Sequence, residues 1–445
     1  MGLFGTDGIR GCSGEGYLTA AWAERFGRAV ALKFGAPNRP VVIGRDTRES
    51  GPMLEQAVAA GVSAMGVDVT LLGVVPTPAI AFLTRRLNGC AGVVISASHN
   101  PYEDNGLKLF TGAGLKCDDA LEAELEALIL GEPPQSAPGK VAGKITTWPD
   151  AAARYARLAT EAYGKDLDLR GMEVVVDAGN GAAWFTTPAV LRALGAEVLA
   201  LNVEPDGVNI NAGCGSTHPE AMAKATREFG AAIGLAHDGD ADRLIVSDET
   251  GSLLDGDEML AVIGLDLLRE GKLSKKTLVA TVMSNLGLDE CFAAAGGTVL
   301  RAGVGDRYVL EQMLAHDLNV GGEQSGHVIL RDHNTTGDGL VTALELLRIM
   351  RRTGKPLSEL RCGLRKYPQQ LVNVKVRERI PLEQIPEISD EVCAVEKELG
   401  TQGRVLLRYS GTEPKIRLLV ETRDEAMLQP VVDRLLKPIR KHLGA

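Results

Sequence analysis

Short β-branched runs alternate along this chain with stretches whose apolar residues recur every three or four positions. The first such unit opens with "PVVIGRDTRESG", continues through an Ala/Leu-rich stretch from Leu54 to Met65, and closes with Gly66 and "VDVTLLG". "MEVVVDAGNGAAW", a helix over Pro188 to Leu194, Gly195 and "AEVLALN" form a second copy. "TLVATVMSN", a helix from Leu286, Gly296 and "TVLRAG" form a third. Apolar strands alternating with amphipathic helices predict parallel βαβ units. The glycine ending each helix predicts a left-handed cap. A spacing on the order of a hundred residues marks repeated domains, since solenoid repeats are far shorter.

The last stretch follows another pattern. "LVNVKV", a helix over Ile388 to Leu399, two strands within "RVLLRYSGTEPKIRLLVE" and a terminal helix predict a β-α-β-β-α unit. "GEPPQSAPGK", Gly131 to Lys140, predicts a linker. The expected fold class is therefore α/β, with three related α/β domains and a C-terminal α+β domain. The boundaries expected are 1–155, 156–254, 255–367 and 368–445.

Composition narrows the function classes. At roughly 150 residues per domain, 445 residues predict three or four domains. With 45% hydrophobic but 4% aromatic residues, the cores must be aliphatic. The seven cysteines are scattered without a CxxC pair, which argues for a reducing compartment and against zinc. No apolar run reaches the roughly 18 residues of a membrane span, and the N-terminus lacks signal-peptide regions, so a soluble, cytoplasmic protein is expected. "MGLFGT" fits the loose myristoylation pattern, yet "GTDGIRG" has a better chemical use. The net charge of -10 argues against a nucleic-acid partner. An anionic small substrate remains open, because local arginines can override a global balance.

Four loops carry the chemistry. The strand Ala91 to Ile95 ends in Ser96, Ala97, Ser98, His99 and Asn100, and chemistry gathers at the carboxyl ends of parallel strands. A polar turn broken by Pro101 is the plain alternative. A Ser98–His99 hydrolase pair is disfavoured, because a nucleophile and its base usually come from separate loops. What remains is a serine hydroxyl that carries a group, with His99 and Lys108 managing protons or charge. In "AHDGDADRLIVSDE", Asp238, Asp240 and Asp242 alternate, so an extended chain would face them one way. Carboxylates about 4 Å apart repel by roughly 4 kcal/mol per pair at an effective dielectric near 20, which calls for a hard cation such as Mg²⁺. The same segment mimics an EF-hand loop, but Arg243 stands where that loop needs glycine, so calcium sensing is rejected. In "GGEQSGHVIL", Glu323, Ser325 and His327 alternate, which would point them one way. Glu323 and Ser325 on a Gly-flanked loop suit sugar hydroxyls, and a polar β-turn is the equal alternative, while "TTGDG" after it reads as a helix cap. In "RYSGTEPKIR", Arg408, Ser410, Gly411, Thr412 and Arg417 form an anion trap. "DAGNGAAW" lacks the third glycine of a dinucleotide loop and reads as a packing turn, while "FGTDGIRG" places Arg10 on a flexible backbone.

"SASHNP", "DGDADR", "GEQSGH" and "RYSGTEP", in this order and spacing, resemble the α-D-phosphohexomutase superfamily over essentially the whole chain. "FGTDGIRG", "CGSTHPE" and "TTGDGL" most resemble its bacterial branch acting on glucosamine phosphates; Tyr409 departs from the proline usual in the last loop. The resemblance implies a four-domain architecture with mixed sheets around a central cleft. It implies phosphorylation of Ser98, and one Mg²⁺ per subunit held by Asp238, Asp240, Asp242 and a phosphoserine oxygen on Ser98. Glu323 and Ser325 would meet sugar hydroxyls, the last loop would grip the phosphate not being transferred, and Arg10, Lys108, Arg243 and His327 match further active-site positions. The implied reaction interconverts glucosamine 6-phosphate and glucosamine 1-phosphate through glucosamine 1,6-bisphosphate, supplying UDP-N-acetylglucosamine and cell-wall synthesis. Lys108 and His99 stay open as the proton carrier, and a hinge near residues 366–370 would let the intermediate turn. The implied partner is a phosphosugar, with no nucleic acid and no membrane, and a homodimer stays open. A phosphoglucomutase or phosphomannomutase, and a non-catalytic phosphosugar-binding protein, are the competing readings; a dinucleotide oxidoreductase is a distant one.

Overall fold

The computed structural model describes residues 2–5, 7–136, 139, 141–410 and 414–444. Gly411 and Thr412 of the expected anion trap, and part of the expected linker, lie outside the described residues. The chain divides into two compact units, Met1–Val282 with Leu300–Cys362 and Met283–Val299 with Gly363–Ala445.

The first unit holds two mixed sheets and all of a third except Thr298 and Val299, the first two residues of one of its strands. The first sheet contains β1 (Ile9–Cys12), β2 (Val41–Arg45), β3 (Val69–Val74), β4 (Ala91–Ile95), β5 (Asp104–Thr111) and β6 (Ile145–Thr147), in the order β1-β5-β4-β2-β3-β6. Its β2, β3, β4 and β6 run parallel; β5 returns antiparallel beside β4, and β1 pairs antiparallel with β5. The second sheet has β7 (Glu173–Asp177), β8 (Glu197–Leu201), β9 (Ile233–His237), β10 (Leu244–Asp248) and β11 (Leu253–Leu254), ordered β11-β10-β9-β7-β8. The third has β12 (Thr277–Thr281), β13 (Thr298–Ala302), β14 (Val320–Gly322) and β15 (Val328–Leu330), ordered β13-β12-β14-β15. Parallel strands read as apolar runs because both faces are covered. Val41, Ile43, Val93 and Ile95 accordingly pack with Phe26, Val30, Leu54, Val58 and Val62 from the helices Ala20–Phe34 and Gly51–Ala64. Each such side chain contributes about 1.5–3 kcal/mol by leaving water.

The three glycines expected to end helices do so with left-handed backbones: Gly66 at φ 73°, Gly195 at 98° and Gly296 at 79°. Asp338 caps the helix Gly339–Thr353, its carboxylate accepting from the Leu340 and Val341 amides, as "TTGDG" predicted. One strand was missed and one expectation fails. β6 was not foreseen, because all three of its residues are exposed and leave no hydrophobic signal. Arg10 sits on β1 in register with Gly106, so its backbone is held by a ladder and is not flexible.

In the second unit, β16 (Gln369–Lys375), β17 (Gly403–Tyr409) and β18 (Lys415–Thr422) pair antiparallel in the order β16-β18-β17. The helices Pro386–Leu399 and Glu425–Leu443 bury Ile388, Val395, Val432, Leu435 and Ile439 against Ile416, Leu418 and Val420, which completes the expected β-α-β-β-α unit.

The helices Ala20–Phe34 and Gly51–Ala64 cross at two glycines. A Cβ on Gly61 would stand 2.1 Å from the Glu24 carbonyl oxygen, and one on Gly27 would stand 2.2 Å from that of Val58. Such overlap leaves no room for a side chain, and overpacking typically costs about 1–3 kcal/mol. Gly61→Val is expected to lower stability by at least that amount, measured as a drop in the thermal unfolding midpoint; an unchanged midpoint would show that the crossing can open freely.

Candidate active site

β4 ends at Ile95 with its strand buried, and the chain turns so that Ser98 adopts a left-handed backbone (φ 54°) while remaining 1% exposed. A residue with a Cβ resists that conformation by roughly 1–2 kcal/mol, so neighbours must hold it. The Ser98 amide donates to Ser96 Oγ at 2.8 Å, and that hydroxyl donates to Asp46 Oδ2 at 2.6 Å. Ser98 Oγ in turn donates to Asp238 Oδ2 at 2.7 Å and lies 3.4 Å from His99 Nδ1.

Asp238, Asp240 and Asp242 do converge, though not by strand alternation. β9 stops at His237 and β10 starts at Leu244; between them lies a tight turn with Ala241 at φ 60°. The turn brings one oxygen from each carboxylate within 4.8 Å of the others, all buried. The glycine turn expected for "DAGNGAAW" packs beneath it. A Cβ on Gly181 would stand 2.4 Å from the Gly239 carbonyl oxygen, which accepts from the Ala182 amide at 2.8 Å. Asp240 Oδ2 accepts from Thr77 Oγ1 at 2.7 Å and from Lys108 Nζ at 2.8 Å. Asp240 Oδ1 and Asp242 Oδ1 are buried without a hydrogen-bond donor. Burial and the charges of Asp242 and Asp240 push the Asp238 carboxyl well above its ordinary range. Oxygen donors of this kind, orphaned and crowded, fit a hard divalent cation.

Cations surround the trio. Lys108 Nζ, on β5, lies 2.8 Å from Asp7 Oδ2 and 3.6 Å from Asp242 Oδ2, besides its bond to Asp240. Burial alone would lower its pKa, but Asp240 and Asp7 outweigh that and hold the ammonium charged. Arg10 reaches across to Asp7. Arg243 Nη1 lies 3.3 Å from His99 Nδ1. Burial, with Arg243 and Arg10 nearby, lowers the His99 pKa to about 4. His327 Nδ1 lies 3.7 Å from Asp242 Oδ1 and its Nε2 lies 3.1 Å from Asp306 Oδ2. Burial opposes its charge, yet Asp306 and Asp242 raise its pKa to about 10.

Beside these groups opens a cavity of about 200 Å³ whose wall includes Arg10, His99, Asp242, Arg243, Glu323 and His327. Glu323 is fixed there by the Gly305 amide, which donates to Oε1 at 3.0 Å. The Glu323–His327 segment is a turn with Gly326 at φ 93°, so its three polar groups do not share one face; Ser325 is exposed and absent from the cavity wall.

The other expected anion-binding residues lie in the second unit. There Arg408 and Arg417 stand directly opposite each other on β17 and β18. The Ser410 amide donates to the Lys415 carbonyl at 2.8 Å, while Arg379 Nη2 donates to the Ser410 carbonyl at 2.7 Å. Guanidinium groups on facing positions are the residue type that grips a phosphate.

Sequence reading missed an outer tier. Asp7 sat inside a quoted motif without a role, and Lys116 and Asp306 belonged to no motif. Lys116 Nζ donates to Asp7 Oδ1 at 2.5 Å and also to Asp306, tying the first sheet's domain to the third's. Only the fold brings these residues together.

Four domain descriptions of the phosphoglucomutase/phosphomannomutase family match the chain: alpha/beta/alpha domain I over residues 1–135, domain II over 153–251, domain III over 255–367, and the C-terminal domain over 371–437. A phosphoglucosamine mutase of Anaeromyxobacter sp. (strain Fw109-5) is 52% identical over 99% of this chain and 96% of its own length. One from Syntrophotalea carbinolica is 51% identical over 99% and 98%. Among solved structures, a phosphoglucomutase/phosphomannomutase family protein from Burkholderia thailandensis superposes with a TM-score of 0.84 at 27% identity, covering 100% of this chain and 99% of that one. An N-acetylphosphoglucosamine mutase of Aspergillus fumigatus, in complex with GlcNAc-6P and magnesium, shares the fold with a TM-score of 0.65 at 17% identity, over 94% and 99%. The superfamily resemblance read from the four loops is thus borne out: the chain belongs to the phosphoglucomutase/phosphomannomutase family.

Proposed function

We propose that this chain interconverts glucosamine 6-phosphate and glucosamine 1-phosphate by way of a phosphoserine at Ser98 and glucosamine 1,6-bisphosphate, which serves as intermediate and activator. The observation that carries the reading is the buried Ser98 hydroxyl, 2.7 Å from Asp238 within a carboxylate trio ringed by cations. The choice of amino sugar follows full-length relatives that carry that activity in their names at about half identity.

In the first transfer, the sugar's 1-hydroxyl attacks the phosphorus carried by Ser98; the bond to Oγ breaks as the bond to O1 forms, and the hydroxyl proton must leave. His99 Nδ1 stands 3.4 Å from Ser98 Oγ, whereas Lys108 Nζ is engaged by Asp7 and Asp240. That geometry sets His99 beside the oxygen the phosphoryl group leaves and makes Lys108 a fixed positive charge. The sugar hydroxyl attacks from the opposite side of the phosphorus, so the carrier of its proton stays open between the two. Asp238, Asp240 and Asp242 would hold one Mg²⁺, which when bound neutralises charge spreading over the transferring phosphoryl group. Arg10 and Arg243 line the cavity and attract the substrate's phosphate, and Glu323 accepts hydrogen bonds from sugar hydroxyls there. Ser325, though exposed, stays in the sugar-binding role by its motif. After the bisphosphate turns round, the 6-phosphoryl returns to Ser98. Arg408, Ser410, Gly411, Thr412 and Arg417 are assigned the phosphate left in place, a part that rests on residue type. Division of the chain at about residues 155, 254 and 367 belongs to the same reading, as does a cytoplasmic location; among the described residues no helix is long and apolar enough to cross a membrane.

Glucose and mannose phosphates remain the competing substrates, because the family's name covers their mutases. With glucosamine 1,6-bisphosphate present, wild type is expected to turn over glucosamine phosphate fastest of the three sugars. Ser98→Ala is expected to lose at least roughly a thousandfold in turnover and to lack the mass increment of one phosphoryl group. Full turnover in Ser98→Ala would refute the phosphoserine route; preference for glucose or mannose would move the substrate.

A second test concerns the metal. At free Mg²⁺ about a hundredfold above its dissociation constant, linkage adds about 2.7 kcal/mol to stability. The thermal midpoint of wild type should rise with Mg²⁺ while that of Asp242→Asn stays nearly flat. Equal rises in both proteins would exclude the trio as the site.

A further inference from the structure

Two side chains that touch neither the cavity nor the carboxylate trio converge on the backbone of the Ser98 loop. Arg48 is 0% exposed and follows β2. Its Nη2 donates to the carbonyls of Ser98 at 3.0 Å and Asn100 at 2.8 Å; its Nη1 donates to that of Asp104 at 2.9 Å and also to that of Pro101. Its Nε is held by Asp46 Oδ2 at 2.9 Å, the oxygen that also accepts from Ser96. Asn211 comes from the second sheet's domain. Its Nδ2 donates to the same two carbonyls, Ser98 at 2.9 Å and Asn100 at 3.1 Å. Two carbonyl acceptors require the amide nitrogen to face them, so the orientation of this side chain is chemically fixed.

Ser98 is therefore pinned at both ends, its amide by Ser96 Oγ and its carbonyl by Arg48 and Asn211. The joint is also where the acid loop packs. A Cβ on Gly239 would stand 2.6 Å from the Ser98 carbonyl oxygen and 2.9 Å from Asn211 Nδ2. We propose that Arg48 and Asn211 are positioning residues for phosphoryl transfer: from two domains they clamp the carbonyls of Ser98 and Asn100, and thereby fix Ser98 Oγ against Asp238. In-line transfer tolerates little displacement, and a misplacement of about 1 Å can reduce rate on the order of a hundredfold. The proposal rests on the phosphoserine reading for the meaning of turnover, but not for the loop geometry.

The decisive variants are Asn211→Asp and Asn211→Gly. Asn211 has φ 58°, a backbone that Asp and Gly tolerate, so neither change adds much strain. Asp keeps the shape but turns the donor into a carboxylate facing two carbonyls, and Gly removes the side chain without adding charge. A loss shared by both therefore reports the missing hydrogen bond apart from charge repulsion. Both variants are expected to lower kcat at least about tenfold with KM within about twofold, since substrate binding is untouched. Hydrogen exchange of the amides between residues 97 and 104 should speed up in both variants without bound metal or sugar, with the rest of the chain unchanged. Arg48→Lys, which keeps the charge but not the fork, should show the same pattern. Normal exchange and normal kcat in Asn211→Asp would overturn the proposal, as would a loss in Asn211→Gly that Asp fully restores. Accelerated exchange in a protein whose wild type turns over no phosphosugar would keep the clamp and sink the functional reading, so the two fail separately.

Discussion

Three carboxylates cannot share a dry interior without compensation, and much of the first unit is arranged around that fact. Pairs of unit charges about 4 Å apart repel by roughly 4 kcal/mol even at an effective dielectric of 20. Each neighbouring element answers with positive charge. Lys108 comes from β5, Arg10 from β1 and Arg243 from the acid loop itself, while His327 from the turn before β15 faces Asp242. The antiparallel additions of β5 and β1 to an otherwise parallel sheet are thus the means by which two cations reach the acids. An outer tier follows by the same logic. Asp7 neutralises the crowd of Lys108, Arg10 and Lys116, and Asp306 joins Lys116 to His327. Charge alternates outward from the trio, and the alternation fastens the first sheet's domain to the second's and third's.

That balance has a direction. A phosphoryl group on Ser98 would add between one and two further negative charges beside Asp238. The orphaned oxygens of Asp240 and Asp242 leave room for a divalent cation to meet that load, while the fixed cations lie within reach of a phosphate in the neighbouring cavity. Phosphoryl transfer asks little covalent chemistry of a protein and much neutralisation at fixed positions. Buried cations locked between carboxylates meet that demand, because they need not reorganise as the phosphoryl group passes.

The sequence was most legible where chemistry is local. The Ser98 and aspartate loops each sit within a few residues at the end of a strand, and the repeated strand–helix–glycine units appear as read, with Gly66, Gly195 and Gly296 left-handed. The aspartates were found for an incomplete reason: a turn at Ala241, not strand alternation, gathers them. Alternation likewise failed at Ser325, which the turn at Gly326 leaves exposed. Illegible were partners far apart in sequence. Lys116 and Asp306 are separated by 190 positions, and Asn211 and Ser98 by 113. Neither pair belongs to a shared motif, and no periodicity connects such residues. β6 was lost for the opposite reason, since three exposed residues on an edge carry no apolar pattern.

Backbone strain ties these observations together. Ser98 and Ala241 both adopt left-handed conformations that residues with a Cβ avoid, and both belong to the facing loops of the site. Glycine would relieve the strain at either position, but Ser98 must keep its hydroxyl for the proposed chemistry. Such conformations persist only where the surroundings over-determine them. Around Ser98 the bonds that do so come from Ser96 and Arg48 on one domain and Asn211 on the next, while Gly239 of the acid loop packs on its carbonyl. The same contacts that join the two domains therefore also set the angle of the serine. Domain packing and site geometry are one constraint here, and a change that loosened the first would be felt at the hydroxyl before it was felt in the cores.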